Sequence, residues 1–136
     1  MTERDYSATP LPRKLGIKER SRVALVGAPE GFPDVLGPLP AGAALVPPRG
    51  PLDVIVLFAG LRAELEGSFS GLARELAPAG GLWVAYPKKA SRVPTDLSFA
   101  EVQEIGLAAG LVDNKSCAID EVWSGVRFVI RLRDRR

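Results

Sequence analysis

The sequence has 136 residues, 46% of them hydrophobic and 25% charged, a composition typical of one globular domain with its own core. It contains no histidine, which excludes Ser-His-Asp and Cys-His nucleophile systems and histidine metal ligation. Its single cysteine excludes an internal disulfide, and its formal net charge of +2 is too small to indicate a nucleic-acid partner.

Residues 1–8 are predicted to be a flexible lead-in to a single domain over residues 9–136. The lead-in is polar and lacks the apolar stretch of a signal peptide, and the apolar runs elsewhere are too short to span a bilayer. We therefore expect a soluble, cytoplasmic protein that does not contact a membrane.

The first half of the chain predicts short elements separated by loops. A helix is expected over 10–15, and the apolar run at 22–27 predicts a strand near the centre of the sheet. Residues 28–51 hold seven of the twelve prolines, which remove amide donors, so at most one helical turn is expected there, around 33–36. A short strand at 43–46 is expected near an edge of the sheet.

Residues 52–88 predict a strand, a helix and a second strand, the unit around which the fold is organised. The run at 52–58 is apolar throughout, as in a strand covered on both faces. A stripe with helical spacing follows: Leu61, Leu65, Phe69, Leu72 and Leu76. Pro78 and the glycine pair after it are expected to end that helix before a buried strand at 82–86. Such a connection between parallel strands is a right-handed crossover.

The last third predicts a loop, a helix and a hairpin. Ser98 and Glu101 have the spacing of a capping box, and the helix that follows is expected to end at Gly110. Its predicted buried face consists of Phe99, Val102, Ile105 and Ala109. Asp113-Asn114 predicts a turn. Strands at 115–122 and 126–133, joined around Trp123-Ser124-Gly125, must be antiparallel because the link is so short. Val126, Phe128, Ile130 and Leu132 are expected to share one face of the second strand.

Together these elements predict a three-layer, Rossmann-like α/β domain with a mostly parallel sheet and a C-terminal antiparallel hairpin. Three features carry a resemblance: the strand entry Asp53-Val-Ile-Val-Leu, the segment Leu76-Ala-Pro-Ala-Gly-Gly-Leu-Trp-Val, and the closing hairpin. They resemble the core of class I methyltransferases that depend on S-adenosylmethionine (SAM). The resemblance implies a methyltransferase-like fold over about residues 20–133, shortened by one strand–helix unit in its N-terminal half.

A second resemblance covers nearly the whole chain. Tyr6-Ser-x-Thr-Pro-Leu at one end and Gly110-Leu-Val-Asp-Asn-Lys-x-Cys-Ala-Ile-Asp-Glu-Val-Trp-Ser-Gly at the other are similar to an uncharacterised family of small bacterial proteins, a domain of unknown function. This resemblance implies a bacterial origin and no particular activity.

The methyltransferase resemblance implies a cofactor site at three places, and the chain departs from the family at each. The glycine-rich loop G-x-G-x-G reads Gly27-Ala-Pro-Glu-Gly31, with a proline in place of the second glycine. The residues after the second strand, Val46-Pro-Pro-Arg49, lack the acid that holds ribose hydroxyls. Phe58-Ala-Gly60 lacks the polar catalytic residues of amino-methylating relatives. These departures disfavour SAM and predict a protein without cofactor, catalytic residue or metal.

Ligands of open α/β sheets bind beyond the carboxyl ends of the strands, near the point where the strand order reverses. The residues expected to form a pocket there are Gly27, Glu30, Gly31, Arg62, Tyr86, Lys88 and Lys89. Arg49 and Arg92 are expected close by. Cations around a glycine-containing loop predict an anionic small molecule or phosphate as ligand. The alternative is a set of solvated loop charges around a vestigial pocket.

These observations favour a non-catalytic module that senses a small ligand or binds another protein. The alternative is a SAM-binding protein or small methyltransferase with an atypical cofactor loop. A protein partner or second copy is expected at the Trp123 hairpin or at a sheet edge, unless Trp123 folds back over the hairpin. Basic segments at 13–22 and 127–136 suggest weak nucleic-acid binding, but no aromatic stacking residues or binding motif accompany them, which argues against it.

Overall fold

The computed structural model describes residues 9–135, so the predicted lead-in over residues 1–8 lies outside them. Within this range there are six strands: β1 (Arg22–Val26), β2 (Ala44–Leu45), β3 (Leu52–Phe58), β4 (Leu76–Pro87), β5 (Leu111–Ala118) and β6 (Trp123–Ile130). The α-helices are α1 (Leu11–Lys14), α2 (Phe32–Leu36), α3 (Arg62–Ala73) and α4 (Phe99–Ala108), with single 3-10 turns at Lys89–Ser91 and Leu132–Asp134. None of the helices in residues 9–135 has the length and apolar character to cross a membrane.

The six strands form one sheet in the order β2-β1-β3-β4-β6-β5. The first four are parallel, and β6 runs antiparallel to both of its neighbours. The predicted mostly parallel sheet with a terminal antiparallel hairpin is therefore confirmed. From β1 the chain moves outward to β2, whereas from β3 it moves in the other direction to β4. The strand order reverses between β1 and β3, where open α/β sheets bind their ligands.

Apolar side chains cover both faces of the sheet, which explains why β3 is apolar without alternation. On one face, α1 and α2 contribute to a core that contains Phe32, Val56 and Trp83. On the other, α3 and α4 contribute to a core that contains Phe69 and Phe128. The indole nitrogen of Trp83 donates a hydrogen bond to the backbone oxygen of Leu15 at 2.9 Å, which ties the end of α1 to the sheet. The expected three layers are thus present.

The predicted end of the long helix is wrong. Helix α3 ends at Ala73, and Leu76 already belongs to β4, where it pairs with Leu52. The ladder resumes with Val54 opposite Gly81, so the intervening residues of β4 form an irregularity in the pairing. Pro78 lies in this irregular part, where its missing N–H does not break a ladder hydrogen bond. Proline and glycine here mark a bulge within a strand, and they do not stop a helix.

The hairpin is shifted from its predicted position along the chain. The turn lies at residues 119–122 because the Asp120 carboxylate accepts hydrogen bonds from the backbone nitrogens of Val122 and Trp123, both at 2.8 Å. Trp123 therefore begins β6, and Leu132, expected on the buried face, is 79% exposed beyond the end of that strand. Asp113-Asn114 is not a turn: it lies inside β5, where the register shifts between Asp113 and Lys115.

Helix α4 begins as predicted. The Glu101 carboxylate accepts a hydrogen bond from the backbone nitrogen of Ser98 at 2.9 Å, and the hydrogen bonds from Ser98 hold the pKa of Glu101 below its usual value. Val102 is buried as expected, but Phe99 is 43% exposed, contrary to the prediction. Its ring lines a cavity beyond the carboxyl end of β4.

Candidate functional site

A cleft of about 330 Å³ lies where the carboxyl ends of β1 and β3 meet, at the reversal of strand order. The residues around it include Gly27, Phe58, Gly60, Glu64, Ser68 and Trp123. They come from the ends of β1 and β3, from helix α3 and from the start of β6. The volume is in the range of small-molecule sites.

Two glycines bound the cleft for different reasons. Gly27 has a φ of +71°, and a Cβ on it would approach the backbone oxygen of Phe58 to 3.0 Å, so a glycine is needed to pack β1 against β3. A Cβ on Gly60 would have nothing within 4 Å, and its φ is outside the left-handed region. The space beside Gly60 is therefore open to a ligand.

The cleft carries a carboxylate and aromatic rings. Oε1 of Glu64 accepts hydrogen bonds from the backbone nitrogens of Gly60 at 3.1 Å and Leu61 at 3.2 Å, which fixes the side chain at the start of α3. The rings of Phe58 and Trp123 meet edge to face with centroids 5.1 Å apart. Among the described residues that line the cleft, Glu64 alone is charged. This electrostatic setting favours a ligand with a positive charge.

A second cavity, of about 370 Å³, lies beyond the carboxyl end of β4. It is lined by residues that include Tyr86, Lys88, Lys89, Thr95, Phe99 and Ser124. The cavity borders the cleft, because the Thr95 hydroxyl donates a hydrogen bond to the backbone oxygen of Gly60 at 2.6 Å. Burial raises the pKa of the Tyr86 phenol, so this hydroxyl is protonated at neutral pH.

The seven residues predicted to share one pocket lie in several places. Gly27 lines the cleft, while Tyr86, Lys88 and Lys89 line the second cavity. Glu30 and Gly31 lie in the loop before α2 and line neither one. The Arg49 backbone oxygen accepts a hydrogen bond from the Arg22 side chain at the amino end of β1, opposite the cleft.

Arg62 also belongs to a different surface. Its guanidinium bonds to Glu66 at 3.0 Å and to Glu104 at 3.3 Å, between α3 and α4. Glu64, Thr95 and Phe99 were not predicted as site residues. The one available signal was the spacing of Leu61 and Glu64, which places a carboxylate at the start of α3, directly after the carboxyl end of β3.

Two side chains that invite a functional interpretation are partly covered. Trp123 is half-buried, and its ring contacts Phe58. Cys117 is a free, half-buried thiol, and burial raises its pKa above the ordinary value. A raised pKa disfavours the thiolate, so Cys117 lacks the activation of a catalytic nucleophile.

No protein-family model matches the chain, and no curated protein matches it. The resemblance to a family of small bacterial proteins therefore stays a prediction. Solved structures do match. A SAM-dependent methyltransferase from Aquifex aeolicus shares 17% identity over 88% of this chain and 87% of that chain, with a TM-score of 0.62. Magnesium protoporphyrin IX methyltransferase from Synechocystis, with bound SAM, shares 10% identity over 89% and 74%, with a TM-score of 0.55.

A third neighbour is CalO1, a methyltransferase of calicheamicin biosynthesis with bound S-adenosylhomocysteine (SAH), at 17% identity over 93% of this chain and 54% of that chain, with a TM-score of 0.61. These similarities confirm the methyltransferase-like fold. They also overturn the expectation of a protein without cofactor, because neighbours with bound SAM or SAH point to SAM and not to none. That expectation gave weight to Pro29 in the cofactor loop, yet Pro29 does not line the cleft.

Proposed function

We propose that this protein binds SAM in the cleft between the carboxyl ends of β1 and β3. The observation that carries the proposal is the charge of that cleft: Glu64 lines it together with the aromatic residues Phe58 and Trp123, and no cation is among the described lining residues. The sulfonium of SAM is positively charged, so such a cleft attracts it. Phosphate and other anions would be repelled.

The shape of the cleft agrees with this ligand. Gly60 leaves open the space that a side chain would fill, and Pro29 stays outside the lining. The segment after β2, Val46-Pro-Pro-Arg49, supplies no carboxylate for ribose hydroxyls. It therefore contributes less to the affinity for SAM than the corresponding acidic residue contributes to dinucleotide binding in Rossmann folds. When bound, SAM supplies a methyl group on a positively charged sulfur. The contribution of this chain is to hold that charge near Glu64, with the rings of Phe58 and Trp123 covering one side.

We expect SAM to stabilise the protein against unfolding. Ligand at about one hundred times its dissociation constant adds about 2.7 kcal/mol, which raises the unfolding temperature of a domain this size by several degrees. Gly60→Val should abolish the shift, because its side chain enters the cleft without meeting protein atoms. Gly67→Val places the same side chain on an exposed site of α3 and should keep the shift. A wild-type protein that gives no shift, or a Gly60→Val protein that keeps it, would refute the proposal.

The charge of Glu64 should distinguish SAM from SAH, which lacks the sulfonium. Glu64→Gln keeps an oxygen that can accept from the Gly60 and Leu61 nitrogens but removes the charge. At an effective dielectric constant of about 20 and a separation of about 10 Å the lost attraction is of order 1–2 kcal/mol, so we expect SAM to bind about tenfold more weakly and SAH to bind almost unchanged. Titration calorimetry measures both. The matched control is Glu66→Gln, whose carboxylate faces Arg62; equal losses for SAM and SAH in Glu64→Gln would contradict this role.

A further inference from the structure

We propose that the cavity beyond the carboxyl end of β4 is a second ligand site, for a small organic anion with an apolar body. The inference rests on the proposed function in one respect: a ligand there would lie next to bound SAM. The ligand proposed for this cavity is negatively charged, whereas the cleft favours a positively charged one. The two sites would thus select different molecules.

The charge of this cavity comes from two lysines. Lys88 and Lys89 line it, Lys88 half-buried, and the lining includes no carboxylate. Across residues 9–135 neither lysine forms an ion pair with an acid. Two lysines at one cavity whose lining holds no carboxylate attract an anion.

The carboxylates closest in the chain do not line the cavity, and each accepts hydrogen bonds from a described residue, which for Glu101 is the lining residue Ser98. Asp96 accepts a hydrogen bond from the backbone nitrogen of Arg62 at 2.7 Å, and Glu101 accepts from the nitrogen and the hydroxyl of Ser98. Lys88 also borders a separate cavity that contains Asp120 and Glu121. Lys89 lines the proposed site and not that separate cavity, so its substitution tests the proposed site more specifically than a substitution of Lys88.

The rest of the lining suits an apolar body with a polar group. Phe99 is 43% exposed and lines the cavity together with the buried Leu97. The hydroxyls of Tyr86 and Ser124 form no hydrogen bond with other described residues, so both can serve a ligand. An aromatic carboxylate combines the anionic and the apolar parts that this lining accepts.

The cavity and the cleft share a wall. Thr95 of the cavity donates to the backbone oxygen of Gly60 of the cleft at 2.6 Å, and Trp123 of the cleft precedes Ser124 of the cavity in β6. Neighbouring strands lie about 4.8 Å apart, and β3 and β4, which end at the two sites, are adjacent. A molecule in the cavity is thus held beside the proposed SAM site.

The test uses indole-3-acetate and its neutral amide, indole-3-acetamide, in titration calorimetry on the full chain without SAM. We expect the acid to bind at least tenfold more tightly than the amide. Lys89→Gln, and more strongly Lys88→Gln/Lys89→Gln, should weaken the acid by about tenfold or more and leave the amide unchanged. Lys18→Gln, which removes an exposed charge elsewhere, should change neither. Phe99→Ser should weaken both molecules, because it removes the apolar contact that they share.

Equal affinities for acid and amide, no binding of the acid, or an acid affinity unaffected by both lysine variants would overturn the inference. SAM titrated into the double lysine variant separates the two proposals. Because neither lysine lines the cleft, SAM should bind that variant as it binds the wild type. Binding of the acid without binding of SAM would support the anion site and refute the SAM proposal, whereas the reverse result would refute only the anion site.

Discussion

Trp83→Ala is expected to lower the free energy of unfolding by about 3–5 kcal/mol. Trp83 lies in the centre of β4 and is completely buried. Its ring packs against Gly125 of the neighbouring β6, and its indole nitrogen donates to the backbone oxygen of Leu15. The substitution removes both the packing and the hydrogen bond. Because native domains are stable by only about 5–15 kcal/mol, the variant should unfold at a markedly lower urea concentration.

Trp83→Phe separates the two contributions. It keeps most of the ring packing but leaves the Leu15 oxygen without its donor, so a loss of about 1–3 kcal/mol is expected. Trp123→Ala is the matched control, since Trp123 is half-buried at the start of β6. Urea titration of the three variants should order them with Trp83→Ala the least stable. If Trp123→Ala proved the most damaging, the central place of Trp83 in the core would be wrong.

Gly106→Ala is expected to destabilise the protein by about 1–3 kcal/mol, although alanine favours helices. A Cβ on Gly106 would stand 2.1 Å from a ring carbon of Phe128. Phe128 is fully buried and meets the Phe69 ring edge to face, with centroids 5.3 Å apart, so its ring has little room to move. Helix α4 lies close to the sheet because this position has no side chain.

Gly71→Ala is the same chemical change, but it is expected to stabilise the protein. Gly71 lies in α3, is exposed, and a Cβ on it would meet nothing within 4 Å. Alanine there should stabilise the protein by about 0.5–1 kcal/mol, because it restricts the unfolded chain and favours the helix. Thermal or urea unfolding of both variants decides the matter. Stabilisation by Gly106→Ala would mean that α4 does not pack against Phe128 as closely as described.

The parts of the fold that could be predicted depend on local patterns. The apolar run of β3 indicates coverage on both faces, and the Ser98–Glu101 spacing gives the start of α4. Each pattern is complete within a few residues. The order of the elements therefore followed from the sequence, and with it the methyltransferase-like class.

The errors concern features that depend on distant residues. Leu76 fits a helical stripe, but its place in β4 is decided by pairing with Leu52. The position of the hairpin depends on which aspartate forms the turn. Asp120 forms it, whereas Asp113-Asn114 lies in a strand. Turn-forming residues occur at both places, so composition alone could not choose between them.

The sequence predicted the candidate site only as an edge of the sheet. The cationic loop residues were predicted to meet in one pocket, but Arg62 does not join Lys88 and Lys89. Its guanidinium forms ion pairs with Glu66 and Glu104. The cofactor motif of the methyltransferase family corresponds to Pro29 and the segment after β2, whereas the cleft is bounded by Gly60 and Glu64. Backbone space and side-chain direction decide these points, and neither is visible in a linear motif.

The position of β6 constrains how the chain can fold. It follows β5 in the chain but lies between β4 and β5 in the sheet, and those two strands have no direct pairing with each other. During synthesis, β5 has no place in the sheet until residues 123–130 have emerged. The edge of β4 remains an open template for other chains over that interval. Two of the six strands are thus added to the sheet in one late step, which pairs β6 with a β4 that lies far from it in the chain.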